Sequence, residues 1–190
     1  MSWRQTALLL GLSLSLLSCS SSDSITPIPP QLLELRHDAD NANAPNLPAA
    51  TYQAAARFTA TQTAALTGGR LIEVDFYIST LPASATLRVY DAGSATAPGV
   101  SLYSADVTAS LTPAAWTQHA LSTPVPITGA DLWIAIEFTH AASQRVIGCD
   151  PGPVVPDGDW LYSSMDGMWI PFNQRFAASV NWNIRGIVEI

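Results

Sequence analysis

The segment from Asp131 to His140 constrains the fold more than any other part of the chain. Leu132, Ile134, Ile136 and Phe138 alternate with Trp133, Ala135, Glu137 and Thr139. A period of two residues is typical of a β-strand that buries one of its faces. We therefore expect a central strand at 131–140.

Similar patterns recur along the chain, separated by turns rich in proline and glycine. The segment 71–79 alternates most clearly, and its inward residues are predicted to be Ile72, Val74, Phe76 and Ile78. The other candidate strands are 32–36, 54–61, 86–91, 102–107, 115–121, 145–149, 160–163, 168–172 and 180–190. About ten short strands without a helical period predict an all-β protein, an antiparallel jelly-roll-like β-sandwich, with Trp116 and Trp182 in its core.

The N-terminus has the pattern of an export signal. Arg4 precedes an apolar run at 7–17 that is too short to span a bilayer. The sequence Leu-Leu-Ser-Cys at 16–19 resembles the lipobox of bacterial lipoproteins, which implies a signal peptide at 1–18 and a lipid on Cys19. The alternative is an ordinary signal peptide with an incidental cysteine. A lipidated Cys19 predicts a membrane-anchored protein of the bacterial outer membrane, on its periplasmic or its cell-surface side.

The rest of the chain divides into a tether and one domain. Residues 19–30 are rich in serine and proline, as in extended linkers, and 31–190 are long enough for a single β-sandwich domain. The net charge is −7 and the chain contains no lysine. Such a surface repels phosphate backbones, so we expect no nucleic-acid partner. With Cys19 lipidated, Cys149 has no disulfide partner, and its apolar neighbours predict a buried thiol.

Two acidic segments are candidates for a metal site. Residues 37–43 place oxygen ligands at alternate positions, but lack the glycine and the closing glutamate of an EF-hand. Asp150, Asp157 and Asp159 lie in a second, proline-rich loop, for which we predict a structural Ca²⁺. The alternative for both segments is that these side chains cap turns.

Aromatic and polar residues at outward strand positions suggest a binding surface. Ring faces stack on sugars, and neighbouring polar groups bind their hydroxyls. The predicted ligand-binding residues are Tyr77, Tyr90, Trp133, Arg88, Glu73 and Trp160, with Trp169, Asp75, Glu137 and Arg185 nearby. The alternative is that loops cover these rings and turn them into a second core layer.

Little in the sequence indicates catalysis. Glu73 and Glu137 could form a glycosidase-like pair if their strands were neighbours, but no nucleophile, zinc or phosphate-binding motif occurs. His37, His119 and His140 are far apart and lack ligand spacing. We therefore expect a protein that is not an enzyme.

Several short segments together resemble a jelly-roll module of Bacteroidetes-type secreted and surface proteins. They are Ala-Ala-Arg-Phe at 55–58, LIEVDFYI at 71–78, TLRVYDAG at 86–93, DLWIAIEF at 131–138, IGCDPGP at 147–153, DGDWLY at 157–162 and NWNIRGIVE at 181–189. The resemblance implies an accessory or binding role, here in a module that stands alone behind its lipid anchor. We expect a non-catalytic binding module for a glycan or a surface protein; the alternative is a structural envelope protein or a subunit of a larger assembly.

Overall fold

The structure, a computed structural model, describes residues 29–190 as a β-sandwich with two short helices. Its strands are β1 (Leu32–Leu35), β2 (Ala50–Phe58), β3 (Arg70–Ile78), β4 (Ser84–Tyr90), β5 (Ser101–Asp106), β6 (Ala115–Pro126), β7 (Leu132–His140), β8 (Cys149–Asp150), β9 (Trp160–Ser163), β10 (Met168–Pro171), β11 (Asn181–Trp182) and β12 (Ile184–Glu189). The helices are α1 (Ala60–Thr63) and α2 (Phe172–Phe176). No helix in this part of the chain is long and apolar enough to cross a membrane.

The strands form two main antiparallel sheets. The four-stranded sheet has the order β1-β12-β3-β6, and the six-stranded sheet has the order β10-β9-β2-β7-β4-β5. Without the β9-β10 hairpin, each sheet holds four strands in the alternating order of a jelly roll. β8 and β11 form a separate small pair. The predicted all-β, antiparallel jelly-roll-like sandwich is confirmed.

The core lies between the two sheets and depends on the alternation seen in the sequence. On β7, Ile134, Ile136 and Phe138 are buried in the same apolar cluster as Val74 and Phe76 of β3. Trp182 is fully buried in this cluster, as predicted. The strands alternate because one face of each sheet packs on the other sheet.

Three details differ from the sequence-based predictions. In β3, Leu71 is buried instead of Ile72. A β-bulge leaves Ile72 without a partner on β12, so the side chains before the bulge change the face of the sheet to which they point. Helix α1 replaces the end of the predicted strand at 54–61. Trp116 is 37% exposed rather than in the core, because it lies on the outer face of the edge strand β6.

Gly186 of β12 lies where side chains of both sheets meet its backbone. A Cβ atom at this position would lie 2.7 Å from Ile134 Cδ1 and from Leu71 Cδ1. These contacts come from both sheets, so only a residue without a side chain fits without moving its neighbours. Gly186 therefore sets how closely β12 packs on β7.

We expect Gly186→Val to lower the free energy of unfolding by about 1–3 kcal/mol, because its side chain overpacks the core. Urea unfolding would measure this change. The matched control is Ala120→Val, which places a valine on the exposed outer face of β6 and should change stability by no more than about 0.5 kcal/mol. Equal losses in the two variants would contradict the tight packing at Gly186.

Candidate functional site

The outer face of the six-stranded sheet gathers aromatic and polar side chains at its centre. We call it the aromatic face and define it by Gln53, Ala55 and Arg57 of β2, Arg88 and Tyr90 of β4, Trp133, Ala135 and Glu137 of β7, Trp160 and Tyr162 of β9, and Trp169 of β10. Strand register aligns these residues in rows: Arg57 and Tyr90 both pair with Trp133, and Gln53 pairs with both Tyr162 and Glu137. The face is therefore built by five adjacent strands.

The floor of the aromatic face is a second apolar layer. Ala55, Trp133, Ala135 and Trp160 form a buried cluster of their own, separate from the core between the sheets. The Trp133 ring lies 5.3 Å from the Trp160 ring and 5.8 Å from the Trp169 ring, between ring centres. Trp133 Nε1 donates to the Ala92 carbonyl at 3.2 Å, so the β4-β5 loop holds the indole in place.

This layer corrects two predicted ligand contacts. Trp133 is fully buried and Trp160 is only 7% exposed, so neither offers an open ring face for stacking. Neighbouring rings, the β4-β5 loop and the Arg57 guanidinium, whose Cζ lies 5.6 Å from the centre of the Trp133 ring, surround the cluster. The rings that remain half-buried at the surface are Tyr90, Tyr162 and Trp169.

A hydrogen-bonded polar network lies beside these rings. The Tyr90 hydroxyl donates to Gln53 Oε1 at 2.8 Å, and Gln53 Nε2 donates to Glu137 Oε2 at 2.9 Å. Arg88 donates to both carboxylate oxygens of Glu137, through Nη2 at 2.9 Å and Nε at 3.2 Å. The network fixes an amide, a hydroxyl, a carboxylate and a guanidinium on rigid strands, within reach of solvent.

The electrostatics of the network favour a fixed charge state. The hydrogen bond to Glu137 raises the pKa of the Arg88 guanidinium, which stays protonated. Burial raises the pKa of the Tyr90 phenol, and its hydroxyl stays a donor. Arg88 and Tyr90 therefore remain hydrogen-bond donors across physiological pH.

The predicted ligand-binding residues do not all share one surface. Arg88, Tyr90, Trp133 and Trp160 come together on the aromatic face, whereas Tyr77 and Glu73 lie on β3 of the opposite sheet. Gln53 and Tyr162 were not among the predicted ligand-binding residues. Gln53 lies just before the predicted strand at 54–61. Tyr162 falls in the predicted strand at 160–163, but nothing in the sequence shows that this strand pairs with β2. The alternation of Gln53 with the buried Tyr52 and Ala54 is the signal that could have found it.

The opposite sheet holds a different cluster. The Tyr77 and Trp116 rings meet edge to face at 5.9 Å, and the Arg185 Cζ lies 4.3 Å from the centre of the Trp116 ring. Arg185 also pairs with Asp38, whose side chain is fully buried, at 2.9 Å. Asp38 in turn accepts a hydrogen bond from Asn183 at 2.7 Å, so this acid of segment 37–43 has a structural role.

The proposed glycosidase-like pair does not form. Glu73 belongs to β3 of the four-stranded sheet and Glu137 to β7 of the six-stranded sheet. The two strands are not neighbours, and both side chains point away from the core between the sheets. The condition under which Glu73 and Glu137 could form a glycosidase-like pair is therefore not met.

The loop that carries Asp150, Asp157 and Asp159 satisfies each carboxylate separately. Asp150 accepts hydrogen bonds from Ala39 N and Gly152 N, both at 2.7 Å. Asp157 accepts from Trp160 Nε1 at 3.0 Å, and Asp159 accepts from Asn173 N at 2.9 Å. Within residues 29–190, no three His, Cys, Asp or Glu side chains are grouped to hold a metal ion. Calcium binding at this loop stays a prediction.

Arg57 joins the aromatic face to the surrounding loops. Its guanidinium pairs with Asp131 at 2.6 Å and with Asp157 at 3.1 Å, and Nη1 donates to the Ala95 carbonyl at 3.0 Å. These partners belong to three loops, which follow β4, β6 and β8. The Arg57 side chain is only 15% exposed, so the ion pairs are partly shielded from water and hold one end of the face together.

His37 attaches the β1-β2 loop to the end of β2. Its ring stacks on Phe58 at 4.8 Å between ring centres, and Nε2 donates to the Arg57 carbonyl at 2.8 Å when that nitrogen carries the proton. Burial lowers the pKa of His37, although the nearby Asp157 and Asp38 act in the opposite direction. The folded protein therefore holds a neutral imidazole here.

We expect stability to fall as the pH drops below about 6.5 because of His37, whose ordinary pKa is 6.5. The unfolded chain then binds a proton that the folded state rejects, so protonation favours unfolding. His37→Gln keeps a hydrogen-bond donor without titrating, and should flatten this part of the curve. Urea unfolding of both proteins across about pH 5 to 8 measures the difference; parallel curves would contradict the assignment.

Comparisons of the chain with protein-family models, with curated proteins and with solved structures give no match in any of the three. The resemblance to a Bacteroidetes-type module therefore stays a prediction.

Proposed function

We propose that this protein is a non-catalytic glycan-binding module, held at the bacterial outer membrane by a lipid on Cys19, with the aromatic face as its binding surface. The observation that carries the proposal is the network of Tyr90, Gln53, Glu137 and Arg88 beside the half-buried rings of Tyr162 and Trp169. Cys19 lies outside the described residues, so the anchor rests on the sequence alone.

The arrangement suits a sugar because it combines the two kinds of contact that sugars need. The apolar C–H faces of a pyranose stack on Trp169 and Tyr162, whose rings lie 5.7 Å apart. Its hydroxyls exchange hydrogen bonds with Glu137, Gln53 and Arg88, which are already held in place by one another. Preorganised groups lose little entropy on binding, which favours affinity for a neutral, hydroxyl-rich ligand.

The competing proposal is a subunit of a larger surface assembly. It is favoured by Met165, Met168 and Phe176, which are apolar and 60%, 51% and 41% exposed around the β9-β10 hairpin. Exposed apolar side chains of this size are typical of protein contacts when they are contiguous. Size-exclusion chromatography distinguishes the two: a monomer that binds sugar supports the first proposal, and an obligate oligomer without sugar binding supports the second.

A glycan panel tests the binding surface directly. Tryptophan fluorescence of the full-length protein should change with at least one glycan, and Trp169→Ala should weaken that binding about tenfold, since stacking and its associated contacts are worth roughly 1–2 kcal/mol. Glu137→Gln should also weaken it, because the variant loses the charge that orients Arg88. Trp116→Ala is the matched control, since it removes an exposed indole from the other sheet.

Three results would count against the glycan proposal. Flat titrations throughout the panel would remove it. Equal effects of Trp116→Ala and Trp169→Ala would show that the signal does not come from the aromatic face. Full binding by Glu137→Gln would exclude the polar network from recognition.

Membrane fractionation tests the anchor. The wild-type protein should sediment with outer membranes, whereas Cys19→Ser should appear in the soluble periplasmic fraction or remain as an uncleaved precursor, because position 19 no longer carries a thiol that could accept the lipid. Cys149→Ser is the matched control and should still sediment, since it replaces the other cysteine of the chain. Sedimentation of Cys19→Ser in processed form would favour the ordinary signal peptide.

A further inference from the structure

A cavity of about 780 Å³ opens between loops at one end of the sandwich, and none of the four residues of the polar network lines it. Its walls are the β4-β5 loop with the start of β5, at 91–102, and the end of β6 with the β6-β7 loop, at 126–132. The volume lies within the range of small-molecule sites, roughly 300–1,000 Å³. The cavity therefore has room for a small organic ligand.

The walls exclude two classes of ligand. They consist of small and aliphatic residues such as Val100, Leu102, Pro126 and Ile127. Among the described residues that line it there is no aromatic ring, so a sugar finds no stacking surface, and no arginine, so an anion finds no counter-charge. The cavity differs in chemistry from the aromatic face and favours an apolar ligand.

Two carboxylates lie in the walls, but only one of them is compensated. Asp131 accepts hydrogen bonds from Arg57 through Oδ2 and from Ala60 N through Oδ1, at 2.7 Å. Asp91 Oδ1 accepts from Val100 N at 2.7 Å, and no arginine or histidine of the described ranges lies within ion-pair distance of it. Asp91 therefore brings an unpaired negative charge to an apolar wall.

The loop holds the Asp91 carboxylate in a fixed position. A Cβ atom at Gly99 would lie 1.8 Å from Asp91 Oδ1, so the glycine lets the backbone close directly over the carboxylate. The Asp91 N–H donates to the Val100 carbonyl at 3.0 Å, which closes the same loop. The charge is thus placed by backbone contacts and costs little to order when a ligand binds.

We propose that this cavity binds an apolar organic cation, with an ammonium or guanidinium group on Asp91 and the hydrocarbon part against Val100, Leu102 and Ile127. Charge complementarity selects this class, because the wall offers one uncompensated carboxylate, a second one that Arg57 already compensates, and mostly apolar surface around them. The proposal does not depend on glycan binding at the aromatic face.

A matched set of probes tests the proposal on the full-length protein: 1-aminoadamantane, its neutral isostere 1-adamantanol, and adamantane-1-carboxylate. NMR titration should shift the amide signals of Gly93, Gly99 and Val100 with the ammonium probe. The alcohol should bind about tenfold more weakly, because its neutral hydroxyl makes a weaker hydrogen bond to the carboxylate than an ammonium group does. The carboxylate should not bind.

Two variants separate the charge from the loop structure. Asp91→Asn keeps an oxygen to accept the Val100 N–H but removes the charge, and should abolish the preference for ammonium over alcohol. Asp106→Asn is the control, because it makes the same charge change at a carboxylate that does not line this cavity. The Asp106 carboxylate also accepts a backbone hydrogen bond, from Thr108 N at 2.9 Å. It should keep the preference.

The proposal is overturned if none of the three probes shifts these amides, or if the alcohol or the carboxylate binds as tightly as the ammonium probe. It is also overturned if Asp106→Asn loses the preference as fully as Asp91→Asn, since the effect would then come from net charge. None of these results depends on the outcome of the glycan panel.

Discussion

The burial of two apolar sheet faces against each other is the constraint on which the rest of this structure depends. β7 lies inside the six-stranded sheet, and its Ile134 meets Gly186 of β12 across the core. Side chains alternate between the two faces of a strand. Because Ile134, Ile136 and Phe138 point into the core, Trp133 and Glu137 point to the outer face of the sheet. The aromatic face is thus a direct consequence of how the core is packed.

The outward residues of β7 become a site only because the β9-β10 hairpin extends the sheet beyond β2. The hairpin adds Trp160, Tyr162 and Trp169 to a row that would otherwise end at Gln53 and Ala55. Trp160 packs against Trp133 within the buried cluster, which allows Trp133 to be fully buried on an outer face. Arg57 then fixes the loops around one end through Asp131 and Asp157. An eight-stranded jelly roll without this hairpin would lack most of the rings.

The sequence was sufficient for those features that depend on a single strand, and insufficient for those that depend on its neighbours. Alternation in β7 and most of β3 correctly predicted which residues face the core between the sheets, but not that Trp133 and Ala135 are buried on the outer face. The bulge at Ile72 was not predictable, because it arises in the pairing of β3 with β12. Tyr77 and Tyr90 have the same outward parity, yet strand order places them on opposite sides of the sandwich. Trp116 likewise looks like a core residue until β6 is known to be an edge strand.

Some acidic side chains of the two sheets differ in whether an arginine is paired with them. On the aromatic face Glu137 has Arg88 as its partner, and Asp131 and Asp157 share Arg57. On the opposite sheet, burial and the neighbouring Glu73 raise the pKa of Asp75, and neither acid forms an ion pair within residues 29–190.

Among residues 29–190, Glu73 and Asp75 therefore leave acidic groups without an ion pair on the opposite sheet, whereas Glu137 on the aromatic face is paired with Arg88. A protein that repels anions at one surface can still bind a neutral ligand at another, provided that the charges there are locally balanced. The pairing of Glu137 with Arg88 supplies this balance, and it leaves directional hydrogen-bonding groups without a strong local field. Such a surface favours ligands that are recognised by hydroxyl geometry rather than by charge.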